Sequence, residues 1–543
     1  MDVLEQTRDY EVARKEYRLD IPEDFNFAYD VIDVRARERD GTAIIAVSRD
    51  GSDIRNITYS DFSEQSSRFA NALSSLGITK GDFGCVIIGR IPAWYTVLFG
   101  CMKIGAISMP GTNLLTAKDI AYRVQASGAR FIVVTPEHCV KFDEVRDQCP
   151  KVEHCIVVGG THPGWLSFED LLAEASPDLD RASLPAIRST DMMMAYFTSG
   201  TTSMPKLVPR DFGYALAHAA TALFWMDLRE GDVHWTLTDT GWAKAAWGLL
   251  FPPLLVGAHV VLYDGEGAFD PIFHLKMIEK LKVSTFCAPP TVYRLFAQQD
   301  LDGYDFSSLR RSMGAGEPLN PEVIRYWQKH TGNVIADGYG QTETINIVGN
   351  FPGMEIRFGS MGKTVPGFNV DIVDDDGNRM PDDEVGHIAV NTEGSWPPGL
   401  FKGYLTEAEL DTAAFRNGWY YTGDTARRDA DGYLWFEGRA DDLISSGAYR
   451  ISPFEVESAL LEHPEVVESA VIGVPDEMRG QLVKGYIILK NPALASEALA
   501  KEIQEFCKNL TAPYKYPRKI EFVTELPKTI SGKIRRVELR ESN

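Results

Sequence analysis

Between two apolar stretches of the chain lies Thr198-Ser199-Gly200-Thr201-Thr202-Ser203-Met204-Pro205-Lys206, with five hydroxyl side chains, one glycine and one lysine. Backbone N–H groups, hydroxyls and an ammonium in one turn are suited to bind a polyphosphate. The residues just before it, 192–197, are typical of a buried strand. An ordinary Ser/Thr-rich surface loop is the alternative, but the density of hydroxyls and the lysine favour phosphate binding.

This loop is not a Walker A P-loop. Gly200 and Lys206 have the spacing of G-x-x-x-x-G-K-[ST], but Pro205 replaces the second glycine and Leu207 replaces the hydroxyl that binds Mg²⁺. Pro209 also argues against a helix that begins at the lysine. We therefore expect a phosphate loop of another kind.

The charge of the chain argues against one broad class of function. The 543 residues carry a formal net charge of −22, which disfavours general nucleic-acid binding. Residues 501–543 hold ten basic and six acidic side chains, a local +4 that fits either an anionic ligand or a solvated basic face. The most apolar stretch, residues 243–258, contains Lys244 and two prolines. It is too short to span a bilayer, so we expect no membrane insertion.

The cysteines and the start of the chain bear on its compartment. Seven cysteines, an odd number without metal-ligand spacing, predict free thiols in a reducing compartment. The acidic start Met1-Asp2-Val3-Leu4-Glu5 lacks the apolar segment of a signal peptide. We expect a cytoplasmic protein, monomeric or homo-oligomeric. The mitochondrial matrix is the alternative, although no transit peptide is visible.

Helical and strand patterns alternate up to about residue 360, which predicts an α/β fold of layered, mostly parallel sheets. The predicted helices include residues 59–76, capped by Ser60, and residues 93–104. Short strands and Asp-Gly turns over about 360–438 predict a small β-barrel-like subdomain. Residues 439–543 predict a small, mobile α+β C-terminal domain beside an N-terminal domain of residues 1–438. Without a flexible linker at Arg439-Ala440-Asp441-Asp442, a defined hinge is favoured.

A second polar cluster is Asp337-Gly338-Tyr339-Gly340-Gln341-Thr342-Glu343-Thr344, after a predicted strand at residues 334–336. The glycines let a ligand approach the backbone, and Tyr339 offers a ring on which a base can stack. Thr342 can bind a phosphate, and Glu343 is a hard oxygen ligand suited to Mg²⁺. A plain polar turn would explain the glycines alone.

Four further segments carry donors or carboxylates. They are Gly314-Ala315-Gly316-Glu317-Pro318, Tyr421-Thr422-Gly423-Asp424 after a predicted strand and turn, Ser445-Ser446-Gly447-Ala448-Tyr449-Arg450, and Lys528-Thr529-Ile530-Ser531-Gly532-Lys533. Each alone is a weak signal, because a capped turn or a solvated lysine explains it equally well.

Taken together and in this order, the segments resemble the motifs of the adenylate-forming superfamily, which contains acyl-CoA synthetases, adenylation domains and luciferases. The likeness lies in the phosphate loop, in Tyr339–Glu343, Tyr421–Asp424 and Arg439–Asp442, and in Gly532-Lys533. The chain looks most similar to medium-chain acyl-CoA synthetases. The stretches that carry this likeness are residues 25–28, 109–112, 239–242, 289–294 and 511–519.

The resemblance implies a two-step ligase reaction. A carboxylate attacks MgATP to give acyl-AMP and pyrophosphate, and the thiol of CoA then displaces AMP. It implies a catalytic lysine, Lys533, that acts in the first step only, with Thr342 and Glu343 also catalytic and Mg²⁺ on Glu343. Rotation about a hinge at Asp441 would withdraw Lys533 before the second step.

The resemblance also implies which residues bind the substrates. ATP would contact Thr198, Ser199, Gly200, Thr201, Thr202, Ser203, Met204, Pro205, Lys206, Gly316, Glu317, Pro318, Asp337, Gly338, Tyr339, Gly340, Gln341, Thr342, Asp424, Arg439 and Lys533. CoA would contact Gly447, Ala448, Tyr449, Arg450, Arg479 and Lys508.

We predict an acyl pocket at Trp242, Ala315 and Gly338. Its small neighbours favour acceptance of several acids, although core packing explains the apolar run at 242–248 equally well. The resemblance implies that these are medium-length, branched or aromatic acids. Two positions depart from the superfamily pattern, since Ser203 and Ala448 stand where glycine is usual. The alternatives are an adenylation enzyme that loads a carrier-protein thiol, and a non-catalytic acyl or nucleotide sensor.

Overall fold

The structure is a computed structural model that describes residues 9–198, 205–265, 267–316, 321–406, 409–446, 449–476, 479–510, 515–529 and 533–542. The chain divides into two compact units. The first comprises residues 1–198, 207–369 and 394–413, and the second comprises residues 199–206, 370–393 and 414–543. The expected boundary at residue 438 stays a prediction.

The described strands are numbered in chain order. They are β1 Thr42–Val47, β2 Ile54–Thr58, β3 Phe83–Ile87, β4 Ile107–Pro110, β5 Phe131–Val134, β6 His154–Val157, β7 Leu166–Ser167, β8 Met192–Phe197, β9 Leu207–Asp211, β10 Val233–Thr236, β11 His259–Tyr263, β12 Thr285–Ala288, β13 Arg311–Ala315, β14 Ile335–Gly340, β15 Asn346–Gly349, β16 Lys363–Thr364, β17 Val370–Val373, β18 Gly386–Asn391, β19 Tyr404–Leu405, β20 Leu410–Asp411, β21 Phe415–Arg416, β22 Trp419–Arg428, β23 Leu434–Arg439, β24 Ile444–Ser446, β25 Tyr449–Ile451, β26 Val466–Asp476, β27 Gly480–Leu489 and β28 Lys519–Phe522.

The described α-helices are numbered in the same way. They are α1 Tyr10–Glu16, α2 Val34–Glu38, α3 Tyr59–Ser75, α4 Ala93–Ile104, α5 Ala117–Ser127, α6 Pro136–Asp143, α7 Phe168–Glu174, α8 Phe212–Ala217, α9 Ala219–Thr221, α10 Ala243–Ala245, α11 Phe251–Val256, α12 Pro271–Lys280, α13 Pro290–Phe296, α14 Pro321–Thr331, α15 Pro453–Leu461, α16 Glu497–Leu510 and α17 Arg536–Glu541. Turns of π-helix span Ala28–Asp33, Ala222–Met226 and Ala246–Leu250. Short 3₁₀ helices span Arg146–Gln148, Arg181–Ser183, Ala440–Asp442 and Pro492–Leu494.

Two large sheets organise the first unit. Among its described residues, one sheet has the strand order β16-β15-β14-β13-β12-β10-β11-β1-β2 and the other has β20-β19-β9-β8-β4-β3-β5-β6-β7. The central pairs of both sheets are parallel. Antiparallel pairs lie at both edges of the first sheet and at the β20 edge of the second, whose β7 edge is parallel. Helix α4 is buried along nearly its whole length, as expected of a helix covered on all sides. The predicted α/β fold class is confirmed.

Two smaller sheets organise the second unit. One has the order β17-β18-β22-β21 with β23 on β22, and the other has β25-β24-β27-β26 with β28 on β27. Helices α15 and α16 pack on the second of these sheets around a core that includes Val456, Ile487 and Ile503. These are the β-rich and α+β parts that the sequence predicts.

Several local predictions change in the structure. The cap of α3 is Thr58 rather than Ser60, because the Thr58 side chain and Asp61 exchange hydrogen bonds in a capping box. The strand expected at residues 334–336 continues to Gly340, so that part of the second polar cluster is strand rather than turn. Asp424 does not follow a strand and turn but lies within β22.

The seven cysteines are all free and buried. Burial raises the pKa of the Cys85 and Cys101 thiols to about 12. Among the described helices, none is both long and apolar enough to cross a membrane.

Candidate active site

The phosphate-loop candidate connects two antiparallel strands. Phe197 at the end of β8 pairs with Leu207 at the start of β9, so a strand and not a helix follows the loop. This confirms that the segment is not a P-loop. Lys206 is exposed, whereas residues 199–204, to which the prediction assigned phosphate contacts, lie outside the described residues.

Two other candidate segments lie side by side in the sheet. Strands β13 and β14 are parallel, and Ala315 pairs with Gly338. Gly316 follows with a φ of 104°, a backbone angle that residues other than glycine rarely adopt. Glu317 and Pro318 lie outside the described residues. The carboxyl ends of adjacent parallel strands are where ligands of α/β sheets usually bind.

Asp337 is a buried carboxyl group in β14. Burial raises its pKa to about 7, although the backbone N–H of Gly338 donates to Oδ1 at 2.8 Å and Lys244 opposes the shift. The carbonyl oxygen of Asp337 accepts hydrogen bonds from Trp225 Nε1 at 3.2 Å and Asn350 Nδ2 at 3.0 Å. The residue predicted to bind adenine therefore has a carbonyl fixed by two hydrogen bonds and a carboxyl group whose pKa is raised to about 7.

Glycines in β14 allow two indoles to lie on the strand. A Cβ built on Gly338 would lie 2.5 Å from Cε2 of Trp225 and 2.7 Å from Nδ2 of Asn346. A Cβ on Gly340 would lie 2.5 Å from Cη2 of Trp247. Both tryptophans stand on π-helical turns, which are frequent at functional sites.

Glu343 follows β14 in a turn that several groups hold. The Tyr404 hydroxyl donates to Oε1 of Glu343 at 2.8 Å, and the Phe401 N–H donates to its carbonyl oxygen at 2.9 Å. Arg210 Nη1 donates to the same carbonyl at 2.9 Å, and its Nη2 donates to the carbonyls of Thr344, at 3.2 Å, and Gly399. These contacts fix the turn around the predicted metal ligand.

Sequence reasoning missed Arg210 and Tyr404. Arg210 is 2% exposed, and its guanidinium lies 3.8 Å above the ring of Tyr214. Alternation along β9 places Arg210 on the same face as buried Val208, but basic residues are rarely buried, so the sequence does not single it out. Tyr404 is 61 residues from Glu343 in sequence, so only the fold reveals the contact.

The predicted acyl-pocket residues lie on adjacent elements of the first unit. Trp242 immediately precedes α10, and Lys244 Nζ in that helix donates to the carbonyl of Ala315 at 3.1 Å. Just before Trp242, Asp239 accepts a hydrogen bond from Thr112 at 2.9 Å. Two of the stretches that carried the family resemblance are thus packed together.

The predicted ribose-binding pair is assembled in the second unit. Asp424 in β22 and Arg439 in β23 are register partners, and Arg439 Nη1 lies 3.2 Å from Asp424 Oδ1. Gly423 has a φ of 75°, which the strand accommodates because glycine has no Cβ. The two residues can present a carboxylate and a guanidinium together.

Lys533 is exposed and held through its backbone. Thr529 N–H donates to the Lys533 carbonyl at 2.7 Å, and Lys533 N–H donates to Thr529 Oγ1 at 3.1 Å. Lys528 and Ile534 form an isolated antiparallel bridge. The described backbone near the candidate catalytic lysine, at residues 528–529 and 533–534, is thus paired.

The predicted CoA contacts stand on separate elements. Tyr449 and Arg450 begin β25, and Gly447 and Ala448 lie outside the described residues. Arg479 is exposed, and Lys508 on α16 pairs with Glu505 at 3.2 Å. The role of these residues in CoA binding stays a prediction.

Comparison with known proteins covers both parts of the chain. Residues 33–405 match the family described as AMP-binding enzyme, and residues 455–533 match the AMP-binding enzyme C-terminal domain. The human protein named acyl-coenzyme A synthetase ACSM5, mitochondrial, is 43% identical over 96% of this chain and 91% of its own length. The rat protein named acyl-coenzyme A synthetase ACSM3, mitochondrial, is 41% identical over 98% of this chain and 93% of its own length.

A solved structure shares the fold. The anthranilate CoA ligase AuaEII in complex with anthranoyl-AMP is 35% identical, with a TM-score of 0.86 over 96% of this chain and 98% of that chain. The resemblance inferred from the motifs is confirmed. The chain belongs to the AMP-binding enzyme family and, within it, to the acyl-coenzyme A synthetases.

Proposed function

We propose that the chain is an AMP-forming carboxylic acid–CoA ligase. It activates an acid with ATP to acyl-AMP and then transfers the acyl group to the thiol of CoA. The observation that carries this function is the likeness to acyl-coenzyme A synthetases at 41–43% identity along almost the whole chain. Loading of a carrier-protein thiol is the alternative.

The proposed site must overcome charge repulsion, because a carboxylate approaches a polyanion. The acid is already ionised at neutral pH and needs no general base. Positioning and electrostatic stabilisation therefore supply most of the catalysis. Lys206 and Thr342 would hold phosphate oxygens, and Lys533 would contact the carboxylate and the α-phosphate in the first step.

The nucleoside would be held by both polar clusters. The buried carboxyl of Asp337 is suited to adenine, whose amino group donates hydrogen bonds, and Tyr339 offers its ring for stacking. Asp424 can accept hydrogen bonds from ribose hydroxyls, and Arg439 lies 3.2 Å from it. Each role follows from donor and acceptor chemistry together with the family pattern.

The donor set at Glu343 fits Mg²⁺. Mg²⁺ is usually bound by one or two carboxylates together with substrate phosphates, and Glu343 is a carboxylate fixed by Tyr404. When bound, the ion would neutralise charge on the phosphates. Tyr404 orients the carboxylate, and Arg210 holds the backbone beneath it.

The second step is proposed to need a different orientation of the C-terminal residues. Rotation about Asp441 would remove Lys533 and bring Arg450, Arg479 and Lys508 toward CoA. The local charge of +4 over residues 501–543 suits the phosphates of CoA.

A panel of straight-chain, branched and aromatic acids tests the function. Pyrophosphate release is measured with and without CoA, and acyl-CoA is measured as product. We expect release with several medium-length, branched or aromatic acids, and acyl-CoA formation only when CoA is added. Release without acyl-CoA would favour carrier-protein loading. If no acid causes pyrophosphate release, the result would contradict enzymatic activation and favour a sensor.

Replacement of Lys533 by alanine tests the division of labour. We expect acyl-AMP formation to fall by about 10²-fold or more, because the lysine charge is removed from the transition state. Thioester formation from supplied acyl-AMP should be spared. Equal loss of both half-reactions would contradict a first-step role.

The names of the relatives also bear on the compartment in which this protein works. The ACSM5 and ACSM3 relatives are named mitochondrial proteins, and they do not support the cytoplasmic location expected from the sequence. We propose the mitochondrial matrix, and fractionation of cells that express the full-length protein tests it.

A further inference from the structure

Four charged side chains join three elements of the second unit. Arg536 Nη2 lies 2.7 Å from both carboxylate oxygens of Glu457 on α15. Arg536 Nη1 lies 3.4 Å from Asp442, and Arg540 Nη1 lies 2.7 Å from the same carboxylate. Both arginines belong to α17, and Asp442 is the residue after the proposed hinge Asp441.

The centre of this cluster is buried. Glu457 is 6% exposed, and its Oε1 also accepts the backbone N–H of Val471 in β26 at 2.7 Å. Burial raises the pKa of Glu457, and the Arg536 guanidinium opposes that rise. Removal of one partner from such a pair is strongly destabilising, because the other charge stays buried and uncompensated.

Lys533 lies only three residues before Arg536. Lys533 is held by its two hydrogen bonds with Thr529, and the N–H of Arg535 donates to the Pro527 carbonyl at 2.8 Å. Leu539 of α17 packs in an apolar cluster with Ile472 of β26. Lys533 is therefore connected through α17 to Asp442, which Arg536 and Arg540 hold by their charge pairs.

We propose that Arg536, clamped by Glu457 and Asp442, is a positioning residue that fixes Lys533 relative to the hinge. It touches no substrate. Its charge cluster makes Asp442, α15, α17 and Lys533 move as one rigid piece. This inference rests on the proposed ligase function.

The test measures the two half-reactions of Arg536→Gln separately. Pyrophosphate release without CoA reports the step that needs Lys533, and thioester formation from supplied acyl-AMP reports the step that does not. We expect acyl-AMP formation to fall by about 10²-fold, because a displacement of about 1 Å costs that much. Thioester formation should stay near the wild-type rate. A purely structural role would lower both rates together and would overturn the proposal.

A second variant guards against failure to fold. Asp442→Asn leaves the Glu457–Arg536 pair intact, and we expect it to lower acyl-AMP formation selectively but less than Arg536→Gln. The matched control is Lys515→Gln, which removes a cation from a 2.6 Å ion pair with Glu455 in the same unit. Its ratio of the two rates should equal that of the wild type.

A double variant decides whether Arg536 acts through the lysine. In a Lys533→Ala background, Arg536→Gln should cause no further loss of acyl-AMP formation, because the group that it positions is already gone. Additive losses would overturn the proposal. If the wild type itself releases no pyrophosphate with any acid, the ligase function fails first.

Discussion

Asp337 shows how a single buried carboxyl group links stability to pH. Its pKa of about 7 lies well above the ordinary 3.8 of an aspartate, because burial disfavours the charged form. The protonated form therefore stabilises the folded chain. That contribution is fully present below about pH 4 and is lost as the pH rises toward about 7.

Asp337→Asn should flatten this dependence. The amide keeps an acceptor for the Gly338 N–H but cannot ionise. Between pH 5 and pH 8 we expect the wild type to lose about 3 kcal/mol of unfolding free energy relative to the variant. Urea unfolding at both pH values measures the difference. Exposed Asp178→Asn is the control, and parallel pH profiles for Asp337→Asn and the wild type would contradict the prediction.

Strand β14 shows what one element contributes to the site. Its glycines leave room for Trp225, Trp247 and Asn346, so the strand is covered by side chains far away in sequence. The indole of Trp225 also satisfies the Asp337 carbonyl. The strand is thus positioned by packing and hydrogen bonding together.

Gly338→Ala should destabilise the protein. The added methyl would overlap Trp225 and Asn346, and overpacking costs about 1–3 kcal/mol. Gly303→Ala is the matched control, because nothing lies within 4 Å of a Cβ at that position. Urea unfolding should separate the two variants, and equal midpoints would show that the indole moves aside freely.

The predictability of these elements from sequence depends on how local their signals are. Helix α4 begins and ends at the predicted residues 93 and 104, because an apolar run is bounded by a proline and a glycine. The sequence favours Ser60 as the cap of α3, but the residue that exchanges hydrogen bonds with Asp61 is Thr58. Both residues are good caps, and only side-chain geometry distinguishes them.

The candidate site was predictable where its chemistry is contiguous. Asp337 and Glu343 stand in one polar run, and Lys533 follows a recognisable turn. The residues that hold Asp337 and Glu343 in place could not be predicted, because Trp225, Arg210 and Tyr404 act through tertiary contacts. Such contacts leave no periodic pattern in the sequence.

The whole molecule is proposed to work as an alternation between two half-reactions. The phosphate loop, the adenine cluster and the lysine turn come from separate parts of the chain, and Asp441 lies in the 3₁₀ turn 440–442. If the hinge must change its backbone angles, a residue with fixed φ at that point should stop the second step.

Asp441→Pro should therefore spare acyl-AMP formation and lower thioester formation by about 10²-fold or more, because proline fixes φ near −65°. Asp441→Ala is the control, since it removes the carboxylate and leaves the backbone free to rotate. The two half-reactions are assayed separately. Normal thioester formation by the proline variant would contradict rotation at this residue.

The buried cysteines have a practical consequence. Only the thiolate attacks alkylating reagents, and each of these thiols is enclosed by the fold. Six lie in the first unit, and Cys507 lies alone in the second. Mass spectrometry of the native protein after alkylation would therefore measure the rate at which the cysteines of each unit become exposed, without an engineered cysteine.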